Sequence, residues 1–165
     1  MILALLPHMS ERRFGHVVNI SSIGVQTAPP RFSAYVASKA ALDAFSRVVA
    51  SETYGDGVTF TTIHMPLVRT PMIRPTRIYD AFPTLTPEEA AAMVVAALEE
   101  RPKHLGTRLG TFGVVSYALA PKMVDAVLHV AYRVFPDSKA AGGDDQVSLS
   151  RGGKALVRLL PGVHW

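Results

Sequence analysis

The sequence predicts an α/β fold with parallel strands and helices, and three observations carry that expectation. His16–Ser21 and Val58–His64 are short β-branched runs, the composition of buried parallel strands. Between them lies a long stretch of helical periodicity, marked by Val36, Ala40, Leu42, Phe45, Val48 and Val49. Further on, Thr86-Pro-Glu-Glu has the form of a helix start. Thr86 suits the N-cap, Pro87 the first turn, and Glu88 and Glu89 the positive end of the dipole.

In chain order, Met1–Met9 (MILALLPHM) reads as a helix end and Glu11-Arg12-Arg13 as a solvated turn. The first strand, His16–Ser21, leads into an expected loop over Ile23–Phe32, which holds Pro29 and Pro30. The long helix is expected from about Ser33 to Tyr54, closed by Gly55 and Gly57. After the second strand, Met65–Pro83 contains Pro66, Pro71, Pro75 and Pro83, which predict a loop or broken helix. The helix opened by Thr86 is expected to run to about Glu100, with a short edge strand over Lys103–Leu109. Gly113–Phe135 reads as helical with an interruption near Pro121. Ser138–Ser150 (SKAAGGDDQVSLS) has linker composition, and Arg151–Trp165 reads as a tail. No internal repeat is visible.

Composition narrows the classes. The length suits one domain, and 48% hydrophobic residues suffice for a core. There is no cysteine, so disulfides and thiolate metal sites are excluded. The net charge of +4 comes from scattered Arg and Lys, not from a basic stripe with aromatic platforms, which argues against a nucleic-acid partner. The six histidines (8, 16, 64, 104, 129, 164) show no paired ligand spacing, so no metal is expected. Met1–Met9 lacks the basic region and the apolar length of a signal peptide. Val114–Val134 is apolar-rich but interrupted by Pro121, Lys122, Asp125, His129 and Arg133, so no transmembrane segment is expected.

The chemistry concentrates at Ser22, Tyr35 and Lys39. Tyr35 and Lys39 lie four apart on a predicted helix, which puts their Cβ atoms about 5–6 Å apart on one face. A free phenol has a pKa of about 10, too high for acid–base work near neutrality. A neighbouring ammonium stabilises the phenolate. Ser22, at the end of an apolar run, adds a hydroxyl for the same substrate oxygen. A hydroxyl donor and a Tyr–Lys couple suit proton transfer to or from a carbonyl or alcohol oxygen.

The block SAYVASKAALDAF, with NISS placing Ser22 thirteen residues ahead of Tyr35, resembles the short-chain dehydrogenase/reductase family. The resemblance implies the C-terminal half of a doubly wound, parallel-sheet Rossmann-type fold, followed by a helical C-terminal extension. Members of that family open with a βαβ unit whose Gly-rich turn meets a pyrophosphate. The glycines before Tyr35 are Gly15 and Gly24 alone, and neither has that spacing. The family's catalytic Asn, on the preceding helix, has no counterpart either; Asn19 lies in the strand. The sequence is therefore expected to be N-terminally truncated, by a shortened reading frame or a misplaced start. Residues 1–109 would be the C-terminal part of the dehydrogenase domain, 110–137 a helical extension, and 138–165 a linker and tail.

The resemblance assigns catalysis to Ser22, Tyr35 and Lys39. It implies NADP as cofactor, with NAD the alternative, and weak or absent binding by this chain alone. Tyr35 and Lys39 would also contact the cofactor. Where relatives carry Pro-Gly-x-Val-x-Thr at the nicotinamide end, this chain has Pro66, Val68 and Thr70 in place, with Leu67 replacing the usual Gly.

A narrower resemblance, to bacterial long-chain fatty acyl-CoA reductases, rests on Arg69-Thr-Pro-Met72, Phe82-Pro-Thr-Leu-Thr-Pro-Glu-Glu-Ala-Ala91, Ala120-Pro-Lys-Met123, Phe135-Pro-Asp-Ser138 and Gly162-Val-His-Trp165. It implies reduction of a long-chain acyl-CoA to fatty aldehyde. Met65, Leu67, Met72, Ile73, Ile78 and Phe82 would line an acyl groove or pack as core contacts of a lid helix. Arg69, Arg74 and Arg77, and the cluster Arg101, Lys103, His104 and Arg108, would meet coenzyme A or simply face solvent.

The alternatives are a ketone or alcohol substrate, or a non-catalytic fragment acting through dimerisation. The family implies a homo-oligomer in the cytoplasm or at a membrane periphery.

Overall fold

The computed structural model describes residues 1–71, 73 and 82–134. Helix α1 (Ile2–Glu11) turns at Arg12–Phe14 into β1 (Gly15–Ser22). A short α2 (Ile23–Thr27) and the long α3 (Ser33–Glu52) lead through a 3₁₀ turn at Tyr54–Asp56 to β2 (Val58–Met65). Helix α4 (Pro87–Glu100) leads to β3 (His104–Leu105), and α5 (Arg108–Leu119) and α6 (Pro121–Val134) follow.

The three strands form a parallel sheet in the order β1-β2-β3. β1 and β2 run in register over eight residues, from Gly15 opposite Val58 to Ser22 opposite Met65. Parallel neighbours need a crossover, which α3 supplies between β1 and β2 and α4 between β2 and β3.

Alternation along the strands divides the core in two. Phe60 and Val58 pack with Leu6 of α1 and Val49 and Ala50 of α3 on one face. Ile63 points the other way and packs with Met93 and Ala97 of α4 and with Leu85. Helices thus cover both faces of a parallel sheet, the doubly wound arrangement.

Local chemistry explains the boundaries. Gly57 has φ +72°, and a Cβ there would run into the carbonyl of Arg13, so the turn before β2 needs glycine. Thr86 caps α4 by accepting from Glu89 N at 3.2 Å, while the Glu89 carboxylate accepts from Thr86 N at 2.7 Å. Thr86→Ala should lower stability by about 1 kcal/mol, read from the urea midpoint; an unchanged midpoint would remove the cap's role.

Three local expectations are corrected. The loop expected over Ile23–Phe32 begins as α2, because Ser22 Oγ accepts from Gly24 N at 3.0 Å and caps a helical turn. The strand expected over Lys103–Leu109 shrinks to two residues, because Thr107 accepts from Gly110 N at 3.1 Å and starts α5 at Arg108. The helix expected from Gly113 therefore begins earlier. It breaks at Ala120, and α6 starts at Pro121, where a missing N–H costs nothing. The linker and tail over 138–165 lie outside the described residues, as do Met72, Arg74, Arg77 and Ile78.

Candidate active site

The C-terminal end of β1 and the first two turns of α3 bring Ser22 and the Tyr35 ring to either side of Gly24. Ser22 is the last residue of β1 and is buried. Its Oγ accepts from Gly24 N, which leaves its own O–H as a donor. Tyr35 lies in the first turn of α3 and is 48% exposed, open to a ligand. Gly24 sits between the two. A Cβ on Gly24 would lie 3.3 Å from Ser22 Oγ and 3.8 Å from Tyr35 Cε1. The same atom would touch Val36 at 3.5 Å, so α3 packs directly over this turn.

Lys39, one turn after Tyr35, is anchored to the strand. Its Nζ donates to the Ile20 carbonyl at 3.0 Å. An ammonium has three donors, so two remain. Deeper along α3, Ser46 accepts from the Asn19 side chain, which places Asn19 inside the helix–strand interface.

Beyond β2, Pro66 is buried, and Leu67, Val68 and Thr70 are half-buried. Val68 forms a parallel bridge with Leu85. The bridge runs through Leu85 N to Leu67 O and Arg69 N to Leu85 O, both 2.8 Å. This pattern turns the N–H and C=O of Val68 itself to the opposite side. Thr70 accepts from Ile73 N at 3.1 Å through its carbonyl, and no side-chain bond of Thr70 is seen among the described residues.

One polar pair escapes a reading of single residues. Asp43, a turn beyond Lys39, accepts from His64 Nε2 at 2.7 Å; the carboxylate can only accept, so the imidazole carries the proton there. The only cue in the sequence was Asp43's place four residues after Lys39. His64 is buried and stacks on His104, with ring centroids 5.8 Å apart. Burial holds His104 below the ordinary imidazole range. His64 and Lys103 add to that, and Asp43 opposes it. No group of three metal-ligating side chains occurs among the described residues, and no described helix is long and apolar enough to cross a membrane.

Comparison with known proteins agrees with this geometry. The family model for short chain dehydrogenase matches residues 1–79. A fatty acyl-CoA reductase of Acinetobacter baylyi is 50% identical over 165 residues, covering 100% of this chain and 56% of that protein. An uncharacterized oxidoreductase of Mycobacterium tuberculosis is 48% identical over 169 aligned positions, covering 100% of this chain and 50% of that protein. A short-chain dehydrogenase structure from Streptomyces avermitilis superposes with a TM-score of 0.59 at 29% identity, over 79% of this chain and 56% of that one. The chain thus spans about half the length of these relatives. With helices on both faces of a parallel sheet, and a serine at a strand end facing a Tyr-x-x-x-Lys helix, the chain belongs to the short-chain dehydrogenase/reductase family of oxidoreductases.

Proposed function

We propose that this protein reduces the thioester carbonyl of a long-chain fatty acyl-CoA to the aldehyde, with Ser22, Tyr35 and Lys39 as its catalytic residues. The observation that carries the reading is the placement of Ser22 and Tyr35 on either side of Gly24. The 50% identity to a fatty acyl-CoA reductase supports the choice of substrate.

In this reading Ser22 donates its O–H to the thioester oxygen, since its oxygen is already engaged by Gly24 N. Tyr35 gives its phenolic proton to the same oxygen as negative charge develops there. The resulting thiohemiacetal releases coenzyme A as the thiol and leaves the aldehyde. Lys39, fixed to the Ile20 carbonyl, directs its remaining N–H groups to the cofactor ribose. The outward N–H and C=O of Val68 fit the carboxamide, with Pro66 and Thr70 beside it. NADPH, when bound, supplies the hydride, and NADH is the alternative donor.

The apolar side chains after β2 point to long acyl chains. Each CH₂ withdrawn from water contributes about 0.8 kcal/mol. With a dinucleotide-binding half of the family type joined in front of this chain, kcat/KM should rise steeply with acyl length, and aldehyde and free thiol should form in equal amounts. A flat length dependence would exclude the acyl groove. An alcohol formed from a ketone, with no thioester turnover, would establish the other carbonyl substrate.

A further inference from the structure

The geometry points to Asp43 and His64 as positioning residues: we propose that their hydrogen bond sets the distance between the proton-donating helix and the loop that borders the nicotinamide. This inference rests on the function proposed above. Three placements support it.

The first is on α3. Asp43 follows Tyr35 by eight residues and Lys39 by four, so the three share one face of the helix. Its carboxylate therefore belongs to the same rigid body as the phenol and the ammonium. The second is on β2. His64 is the penultimate residue of that strand, directly before Met65 and the Pro66–Thr70 segment. The third is the contact itself. His64 Nε2 donates to Asp43 Oδ2 at 2.7 Å, and the side chains are 9% and 22% exposed. His64 Nδ1 is buried without a partner, so Asp43 is the imidazole's only hydrogen-bond partner among the described residues.

The neighbouring anchors do not duplicate this contact. Lys39 and Ser46 tie α3 to Ile20 and Asn19, both on β1. Asp43 is the residue of α3 that hydrogen-bonds a β2 side chain among the described residues. Ser21 lies opposite His64 in the parallel register, and it precedes Ser22. His64 thus lies level with Ser21, one residue behind the serine in the register, and two residues before Pro66. A shift of about 1 Å in such a relation costs on the order of 10²-fold in rate, because proton and hydride must reach one carbonyl together.

The test compares Asp43→Ala, His64→Ala and Asp43→Asn in this chain joined to a dinucleotide-binding half of the family type, with acyl-CoA and NADPH. Asp43→Ala and His64→Ala should lower kcat per folded molecule by about tenfold or more, with KM for both substrates within about threefold. The deuterium isotope effect from NADPH labelled at the transferred position should rise. Asp43→Asn keeps an oxygen acceptor for Nε2–H and should recover most of the rate. A merely structural role would reduce the folded fraction, seen by circular dichroism, and leave kcat per folded molecule and the isotope effect unchanged; that result overturns the proposal.

If the unsubstituted protein reduces no carbonyl, the functional reading fails and the positioning claim is decided on the 165-residue chain by amide NMR. Asp43→Ala shifts that reach both Tyr35–Lys39 and Met65–Thr70 uphold the clamp. Shifts confined to the neighbours of residues 43 and 64 refute it.

Discussion

Tyr35→Phe should abolish nearly all turnover of this chain joined to a dinucleotide-binding half of the family type. General acid–base groups contribute about 10²–10⁴-fold, and the ring that approaches Ser22 across Gly24 is that of Tyr35. The ring itself should remain in place, because removing one hydroxyl from a half-exposed side chain removes little packing. The expected result is a kcat loss of at least 10²-fold with an unchanged unfolding midpoint. A loss below about tenfold would assign the proton to another group. The comparison is made at saturating cofactor, so that any change in ribose contact does not enter kcat.

The largest expected effect on stability is at Ile63. It is fully buried at the centre of β2, against Leu85, Met93 and Ala97, with Val18, Met65 and Leu105 around it. Truncation to Ala leaves a cavity between sheet and helix. Ile63→Ala should cost about 2–5 kcal/mol, a large part of the roughly 5–15 kcal/mol that holds a typical domain together. Val48→Ala is the control: Val48 is 54% exposed, and its loss should stay within about 0.5 kcal/mol. The measurement is urea unfolding of both variants. Equal midpoints would mean that β2 and α4 do not form the core described.

Much of this architecture is legible in the sequence where the causes are local. β-Branched runs mark β1 and β2, and Thr86, Pro87 and Glu89 mark the start of α4, because capping chemistry spans only four residues. Ser22, Tyr35 and Lys39 are readable for the same reason: one strand end and one helix carry all three. The short helix α2 was hidden because Ser22 serves twice, as a candidate catalytic hydroxyl and as a cap for Gly24 N. Asp43 and His64 were hidden because they lie 21 residues apart and meet only through the crossover. Taken singly, each resembles an ordinary residue, a helix-surface acid or a core histidine. The brevity of β3 is likewise invisible until Thr107 is seen to cap α5.

The parallel pairing of β1 with β2 also bears on how the protein comes to be folded. Every β1 residue finds its partner 43 positions later. Helix α3 can form from local contacts within about a microsecond, but the strand register waits for a loop of that length to close. Contacts at such separation slow folding, and they keep apolar strand surface exposed while the search continues. During that interval Tyr35 and Lys39 already lie on one helix, yet the Ile20 carbonyl and Ser22 are not fixed beneath them. The proposed catalytic group is therefore a late product of folding. A mutation that slows β1–β2 docking would lower the yield of competent molecules in the cell without altering the rate of those that succeed.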